Sequence, residues 1–299
     1  MRLRLAALVG AALGALASCG GGTPAPAPVP ATECLPDPAC TQLMVVAHRG
    51  YHATLPENSL AAIRAAAAVG ADFAEVDVRH TKDEVLVLMH DAEVDRTTDG
   101  TGLVSDFTWE EIQALTLDGG EPADPESVRV PRFLDVLAVA TETGLMLYVD
   151  EKTERADLVL AAIQGGAYHG VVLLRDVLEV LAPLVAQDDR LMVMPPLTTS
   201  LEFDAARAQV PGLLIVELAQ ASPDATLAGL VRAAGVKVQQ DVMTLGDIPA
   251  VNGDYRGWIS YVDAGVTLLQ TDYPQLLVPA VDEHHRTGVF PEQGPGIFQ

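Results

Sequence analysis

The fold of this chain is decided between residues 45 and 91, in the segments VVAHRG (45–50), PENS (56–59), FAEVDVR (73–79) and VLVLMHD (85–91). Three of these segments contain short apolar runs rich in valine or leucine, which are typical of strands buried on both faces. Each ends in ionisable side chains that are costly to bury without a partner. Polar groups at the ends of buried strands are the usual place of an active site in an α/β enzyme. The stretch therefore predicts an α/β fold with an active site at the ends of its buried strands, at the mouth of a sheet or barrel.

The second of these strands, 73–79, places its charged residues on one face. Alternate side chains of a strand point the same way, so Glu75, Asp77 and Arg79 are expected to share a face. Residues 81–84, which connect this strand to the next one at Val85–Met89, are too few for a helical crossover. The third strand is therefore predicted to form a hairpin with the second. A two-residue turn at residues 82–83 would set Glu75 opposite His90.

The remainder of the chain alternates between strands and helices, which predicts a (β/α)₈ barrel with a small insertion after the strand that leads to His90. Nine strand candidates are present, one more than such a barrel needs: Leu43–Ala47, Phe73–Arg79, Val85–Met89, Leu145–Val149, Val171–Leu174, Leu191–Met194, Leu213–Glu217, Val236–Gln240 and Thr267–Gln270. Either the hairpin strand lies outside the parallel set or one of the assignments is wrong. The barrel is expected to span residues 43–285, with the insertion at about 92–130 and a tail at 286–299.

Composition limits the class of protein. The 299 residues are 49% hydrophobic, enough for one large core or two small ones. The formal net charge of −23 argues against nucleic acid as a partner. An anionic substrate would need local positive groups or a metal ion.

Residues 1–19 have the pattern of an export signal: two arginines, an apolar run and small residues before Cys19. This pattern resembles a bacterial lipobox, in which the cysteine after the cleavage site is acylated; the alternative is an ordinary secretory signal with a chance cysteine. Residues 20–42 are predicted to form a tether rich in proline and alanine. The protein is thus expected to be exported and lipid-anchored to a bacterial membrane, facing the periplasm or the cell exterior.

Cys34 and Cys40 lie within the tether, just before the first strand. In an oxidising compartment two such cysteines favour a local disulfide, and no nearby histidine or third cysteine supports a metal site. The disulfide is expected to fix the tether to the barrel rim.

Acidic side chains at the strand ends predict a metal site. Glu75 and Asp77 belong to one strand, and Asp150 ends another. Their hard oxygen ligands suit Ca²⁺ or Mg²⁺, and the chain offers no thiol or histidine spacing that would favour zinc.

Basic side chains at the same ends predict phosphate chemistry. Arg49 and Lys152 would bind an oxyanion. His48 and His90 would exchange protons near neutral pH, one activating a hydroxyl group and the other protonating the leaving oxygen. The remaining histidines are expected on the surface or in loops.

These motifs together resemble the glycerophosphodiester phosphodiesterase family, and the resemblance extends from about residue 45 to residue 274. It rests on the four opening segments and on RTT (96–98) and TDYP (271–274). It implies a phospholipase-C-like barrel with His48 and His90 as acid and base, Glu75 and Asp77 as metal ligands, and Arg49 on the phosphate. We expect Glu57 to orient Arg49 or the start of a helix.

This chain departs from the family pattern at three places. The third metal ligand is usually a glutamate two residues before a lysine, and here it is Asp150 with Lys152 retained. Residues 174–176 are Leu-Arg-Asp where the family often has Ser-Phe, and residues 239–243 replace a frequent Trp-Thr-Val-Asn. Near the chain's end, Asp272 is expected to fix a loop.

The predicted function is metal-dependent hydrolysis of small glycerophosphodiesters to sn-glycerol 3-phosphate and an alcohol. One alternative is a lysophospholipase D or sphingomyelinase D-like phosphodiesterase, which an apolar trough beside the mouth would favour. The other is a non-catalytic surface-binding lipoprotein on the same barrel.

Overall fold

The computed structural model describes residues 28–121 and 123–297. In these residues the strands are β1 Met44–Ala47, β2 Phe73–His80, β3 Leu86–Leu88, β4 Met146–Glu151, β5 Val172–Arg175, β6 Met192–Met194, β7 Pro196–Leu197, β8 Ile215–Leu218, β9 Lys237–Asp241 and β10 Leu268–Thr271. The α-helices are α1 Ala31–Cys34, α2 Leu60–Val69, α3 Trp109–Ile112, α4 Pro125–Val128, α5 Phe133–Thr143, α6 Ala156–Gly165, α7 Leu178–Gln187, α8 Ser200–Gln209, α9 Ala225–Ala233, α10 Ile248–Ala250, α11 Arg256–Ala264 and α12 Pro274–Thr287.

The parallel strands follow the order β6-β5-β4-β2-β1-β10-β9-β8-β7 around the sheet. Strands β6 and β7 flank Pro195, which has no N–H to continue a ladder. They therefore occupy one position between β5 and β8, and this position closes the barrel. Strand β3 pairs with β2 in antiparallel fashion. The predicted (β/α)₈ barrel is confirmed, and the ninth strand candidate is the hairpin strand outside the parallel set.

The register of the hairpin differs from the prediction by one residue. Val78 pairs with Leu88, and the Met89 N–H donates to the Asp77 carbonyl at 3.0 Å. The turn has three residues instead of two, and Glu84 ends it with a φ of 62°. A residue in the left-handed region after a tight turn is the usual form of a three-residue hairpin loop. His90 is therefore not opposite Glu75, because a one-residue shift moves each side chain to the other face.

The barrel interior below the mouth is mostly apolar, apart from buried Lys237, Gln239 and Gln270, and the segment before β1 closes its amino-terminal end. Cys34 and Leu35 are 0% and 1% exposed and pack against interior residues such as Phe73 and Met146. A disulfide joins Cys34 to Cys40. The predicted signal and its Cys19 lie outside the described residues. Among those described, we find no helix long and apolar enough to span a bilayer.

The insertion between β3 and α5 has an apolar cluster of its own, which includes Val94, Val104 and Ile112. This cluster also contains Val87 of β3 and Met89, the residue before His90. The insertion is thus anchored to the hairpin and holds its loop, with Arg96, beside the barrel mouth.

Candidate active site

Three carboxylates converge at the mouth. Oxygen atoms of Glu75, Asp77 and Asp150 lie within 4.8 Å of one another. Strands β2 and β4 are neighbours in register, with Asp77 opposite Asp150, and this pairing brings the predicted ligands together. The donor set is all oxygen and comes from two rigid strands, which fits a hard divalent cation.

The electrostatics of this cluster also fit a cation. Burial, and then the charges of Asp77 and Asp150, raise the pKa of Glu75 well above its usual value. The Lys152 ammonium group lies 2.8 Å from Asp150 Oδ2 and 3.2 Å from Asp77 Oδ1. Burial alone would lower the pKa of Lys152, but these two carboxylates outweigh it and raise that pKa. Crowded carboxylates that favour a proton or an ammonium group are also a suitable environment for a metal ion.

The backbone after β1 turns so that a main-chain N–H group faces this cluster. Arg49 has a φ of 52°, in the left-handed region that non-glycine residues rarely adopt. In this conformation its N–H donates to Glu75 Oε2 at 2.8 Å. Residues held in such regions are often found at functional sites, where the surrounding contacts compensate for the strain.

Asn58 is a site residue that the sequence reasoning did not identify. Its side-chain amide donates to Asp77 Oδ2 at 2.8 Å and its Oδ1 accepts the Asp77 N–H at 3.0 Å. The cap of α2 is the next residue, Ser59, whose hydroxyl accepts the Ala62 N–H at 3.1 Å. Asn58 is thereby free to fix the orientation of Asp77.

His48 is oriented by Asp272, whose Oδ1 lies 2.7 Å from His48 Nδ1. Burial would raise the pKa of Asp272, but the bond to His48 and the charges of His48, His52 and Arg49 together outweigh burial and lower that pKa. An ionised carboxylate only accepts, so Nδ1 carries the proton and Nε2 is free for chemistry. Asp272 thus does more than fix a loop. His52, expected on the surface, also lies near, with Nε2 3.6 Å from Asp272 Oδ1.

Asp272 is itself held by a buried carboxylate. Asp247 is 1% exposed and accepts from the Asp272 N–H, the Trp258 indole N–H and the Thr271 hydroxyl, each at 2.8 Å. Burial raises the pKa of Asp247 to about 6. No sequence signal indicated Asp247, because it belongs to a segment without strand or helix periodicity.

His90 has an equivalent partner on the other side of the mouth. Its Nδ1 lies 2.6 Å from Asp91 Oδ1, and Arg96 binds the same carboxylate at 2.6 Å. These two contacts, Arg96 first, hold the pKa of Asp91 below its usual range. Arg96 also binds Glu57, and Glu57 accepts from Arg49 at 3.0 Å. A chain of ion pairs therefore connects the insertion to Arg49 through Glu57.

Arg79 holds two segments of the mouth together. Its Nε and Nη2 donate to the His90 carbonyl at 3.1 and 2.9 Å, and its Nη1 donates to the Lys152 carbonyl at 3.1 Å. One guanidinium group thus fixes the backbone of both residues.

The departure from the family pattern at Arg175 places another cation at the mouth. Its Nε donates to Glu217 Oε2 at 2.7 Å, and its Nη1 donates to Asp150 Oδ1 at 3.2 Å. The side chain therefore links the third predicted ligand to a buried glutamate of β8. Glu217 was not predicted, because only the closed barrel brings β8 opposite β4.

The chain is similar to a known family of proteins. The model of the glycerophosphoryl diester phosphodiesterase family matches residues 48–247, more than half of the chain. A glycerophosphodiester phosphodiesterase from Caldanaerobacter subterraneus is 41% identical over 112 residues, which are 37% of this chain and 45% of that protein. Human glycerophosphodiester phosphodiesterase 1 is 39% identical over 128 residues, 39% of each chain. These matches thus span less than half of each curated relative.

Solved structures share the fold. A phosphodiesterase from Oleispira antarctica, in complex with the product sn-glycerol-3-phosphate, gives a TM-score of 0.67 at 22% identity, covering 80% of this chain and 96% of that one. A glycerophosphoryl diester phosphodiesterase from Parabacteroides distasonis gives 0.71 at 21% identity, covering 82% and 88%. At such identities the likeness concerns the fold. The family match over most of the barrel is the stronger finding, and by it the chain belongs to the glycerophosphoryl diester phosphodiesterase family.

Proposed function

We propose that this protein is a metal-dependent phosphodiesterase that hydrolyses glycerophosphodiesters to sn-glycerol 3-phosphate and an alcohol. The observation that carries the proposal is the cluster of Glu75, Asp77 and Asp150, with two histidines that follow the strands paired to β2, each bonded to a carboxylate of its own. The family match and the activity named for the relatives support the same reaction.

The three carboxylates would hold a divalent metal ion, Ca²⁺ or Mg²⁺. When bound, such an ion neutralises phosphate charge and acts as a Lewis acid. Arg49 and Lys152 border the cluster and would bind the remaining phosphate oxygens. Their charges act where the phosphoryl group gains negative charge during displacement.

His48 and His90 would perform the proton transfers. Because Nδ1 of each ring faces an aspartate, each Nε2 is available to accept or donate a proton. Asp272 and Asp91 stabilise the imidazolium form of their partners and fix the ring orientations. One imidazole takes the proton of the attacking hydroxyl, and the other gives its proton to the leaving oxygen.

The lysolipid alternative requires an apolar trough beside the mouth. A cavity of about 610 Å³ is lined by apolar residues of α5 and α6, including Leu134 and Leu158. None of the proposed site residues lines it, so it gives the alternative no support. The non-catalytic alternative is not favoured, since the proton-transfer and acidic groups are all retained.

The test is hydrolysis of glycerophosphoethanolamine and glycerophosphocholine, measured as the release of sn-glycerol 3-phosphate. We expect EDTA to abolish activity and Ca²⁺ or Mg²⁺ to restore it. We expect His48→Ala and His90→Ala each to lower kcat by ~10²–10⁴, the usual contribution of a general acid or base. His285→Ala, a control on α12, should retain wild-type activity. Activity that is indifferent to chelator, or near-normal rates in either site variant, would disprove this assignment.

We also propose that the protein is exported and anchored through a lipid on Cys19. The support is the sequence pattern of residues 1–19, which lie outside the described part of the chain. Cys19→Ser should release the protein from the membrane fraction of expressing cells. A Cys19→Ser product that still carries lipid would contradict the proposal.

A further inference from the structure

A second group of potential metal ligands lies at the mouth, apart from the three carboxylates. Ring nitrogens of His48 and His52 and a carboxylate oxygen of Asp272 lie within 4.8 Å of one another. The two histidines are four residues apart, so the expectation that the chain has no histidine spacing suited to zinc is wrong at this point. The proposed reaction uses His48 and Asp272 but gives His52 no part.

The loop after β1 holds the two histidines on a fixed backbone. Gly50 has a φ of 77°, and a Cβ atom at this residue would lie 2.8 Å from the carbonyl carbon of Ala62 in α2. The Tyr51 N–H donates to the Ala62 carbonyl oxygen at 2.9 Å. The loop therefore packs directly on the helix. The two imidazole rings, with centroids 5.7 Å apart, are thus already next to each other in the folded chain.

The hydrogen bond of His52 decides which of its nitrogens is available. Its Nδ1 lies 2.7 Å from the His48 carbonyl oxygen, which can only accept, so Nδ1 carries the proton. In the neutral ring Nε2 then has a lone pair, and this atom lies 3.6 Å from Asp272 Oδ1. Two acceptor atoms that face each other need a proton or a metal ion between them. A backbone carbonyl on the other nitrogen is the usual support of a metal-binding histidine.

The distances fit a tetrahedral zinc ion after a small adjustment. Zinc bonds of ~2.0–2.1 Å at a tetrahedral angle separate two ligand atoms by about 3.3 Å. The distance from His52 Nε2 to Asp272 Oδ1, 3.6 Å, is close to this value. The distance from His48 Nδ1 to the same oxygen, 2.7 Å, has to lengthen by about 0.6 Å. The Asp272 side chain is 34% exposed, so it has room to move and water can reach the ion as a fourth ligand.

The charges around these three side chains are compatible with a divalent cation. Arg49 acts on Asp272 and would oppose the cation, but its guanidinium group is 3.0 Å from Glu57 and 3.6 Å from Asp77. Behind Asp272, the Asp247 carboxyl group accepts the Asp272 N–H at 2.8 Å. The pKa of Asp247, about 6, leaves this group mostly ionised at neutral pH, where it attracts a cation.

We propose that His48, His52 and Asp272 form a second metal site, which we call the histidine site, and that Zn²⁺ bound there inhibits the enzyme. Two imidazole nitrogens and one carboxylate are typical ligands of Zn²⁺ and disfavour Ca²⁺ and Mg²⁺, which prefer oxygen. The three carboxylates and the histidine site therefore differ in the cation that each one selects.

Inhibition follows from the tautomer of His48. In the proposed reaction Nδ1 carries a proton and Nε2 exchanges one with the substrate. A zinc ion on Nδ1 displaces that proton, and the neutral ring then carries its proton on Nε2. Nε2 can no longer accept a proton, and it donates its own less readily than an imidazolium ion does. Inhibition thus rests on the proposed function, whereas zinc binding does not.

The first experiment titrates Zn²⁺ during hydrolysis of glycerophosphoethanolamine by the full-length protein, with Ca²⁺ or Mg²⁺ in excess. Each rate is expressed relative to the same protein without zinc. We expect His52→Ala to need at least ~10-fold more zinc than the wild type for half inhibition, because it removes a ligand. His169→Ala is the matched control, since His169 also pairs with an aspartate, at 2.9 Å, but lies between α6 and β5. It should keep the wild-type sensitivity to zinc.

A readout without turnover separates this inference from the proposed function. We expect calorimetry with Ca²⁺ in excess to show zinc binding to the wild type, and binding at least ~10-fold weaker to His52→Ala. Asp272→Asn should weaken zinc binding in the same way, and it serves as the test if circular dichroism shows that His52→Ala does not fold. If no diester is hydrolysed but zinc binds in this way, the proposed function fails and the histidine site stands.

Three results would overturn the inference. Equal inhibition of the wild type and folded His52→Ala would place the inhibitory zinc elsewhere, at the three carboxylates. A wild type that binds no zinc in the presence of Ca²⁺ would mean that a proton on His52 Nε2 satisfies Asp272. Zinc bound at the histidine site of an enzyme that remains fully active would refute the inhibition.

Discussion

The contact between Asp272 and His48 allows a quantitative prediction. The 2.7 Å bond joins an ionised carboxylate to an imidazole that becomes positive when it accepts a proton. A hydrogen bond to a charged group contributes ~1.5–3 kcal/mol and a neutral one ~0.5–1.5 kcal/mol. Asp272→Asn keeps an acceptor oxygen for Nδ1–H but removes the charge, so the loss is about 1–2 kcal/mol. At ~1.4 kcal/mol per factor of ten, kcat/KM should fall about 5- to 30-fold.

The assay is steady-state hydrolysis of glycerophosphoethanolamine by both proteins. We expect most of the loss in kcat, because the carboxylate stabilises the imidazolium that forms during reaction and not the bound diester. Asp254→Asn is the matched control, since it removes the charge of an aspartate that forms a surface ion pair with Arg256 at 2.6 Å. A change within twofold in folded Asp272→Asn would refute the role of Asp272. A loss above a thousandfold would mean that the substituted side chain turns its NH₂ group to Nδ1 and reverses the imidazole tautomer.

Further predictions concern Arg79, the buried carboxylate of Asp247 and the disulfide between Cys34 and Cys40. Arg79→Met removes the bonds to two backbone carbonyls, and we expect kcat to fall ~10- to 100-fold with little change in KM. The control Arg64→Met, on half-buried Arg64 of α2, which pairs with Glu126 and Glu142, should have wild-type kinetics. For Asp247, a folded-state pKa raised to about 6 gives stability that is present below about pH 4 and lost as the pH rises through 6. Chemical unfolding should show this loss between pH 4 and 7 in the wild type, and a smaller slope in Asp247→Asn; equal slopes would contradict it. Cys34→Ser should lower the free energy of unfolding by about 2 kcal/mol, because the disulfide closes only a short loop. An unchanged unfolding midpoint would show that the disulfide does not stabilise the folded state.

Local sequence patterns were sufficient for the strands and for most of the proposed site. The alternation of β2 put Glu75 and Asp77 on one face, and the motif at the end of β1 placed His48 and Arg49 at the mouth. These inferences hold because side-chain direction along a strand depends only on neighbouring residues. The hairpin register is the local feature for which the prediction was wrong, because Glu84 adopts a left-handed conformation that its residue type does not indicate.

The amino-acid sequence by itself determined that this chain forms a parallel barrel with acids, imidazoles and basic groups at its strand ends. Only the tertiary structure decided which of these groups are partners. His48 and Asp272 are 224 residues apart, and Arg175 and Glu217 are 42 apart and belong to strands that do not pair. Such contacts follow from closure of the barrel, which brings distant strand ends to one mouth, and no local periodicity carries that information.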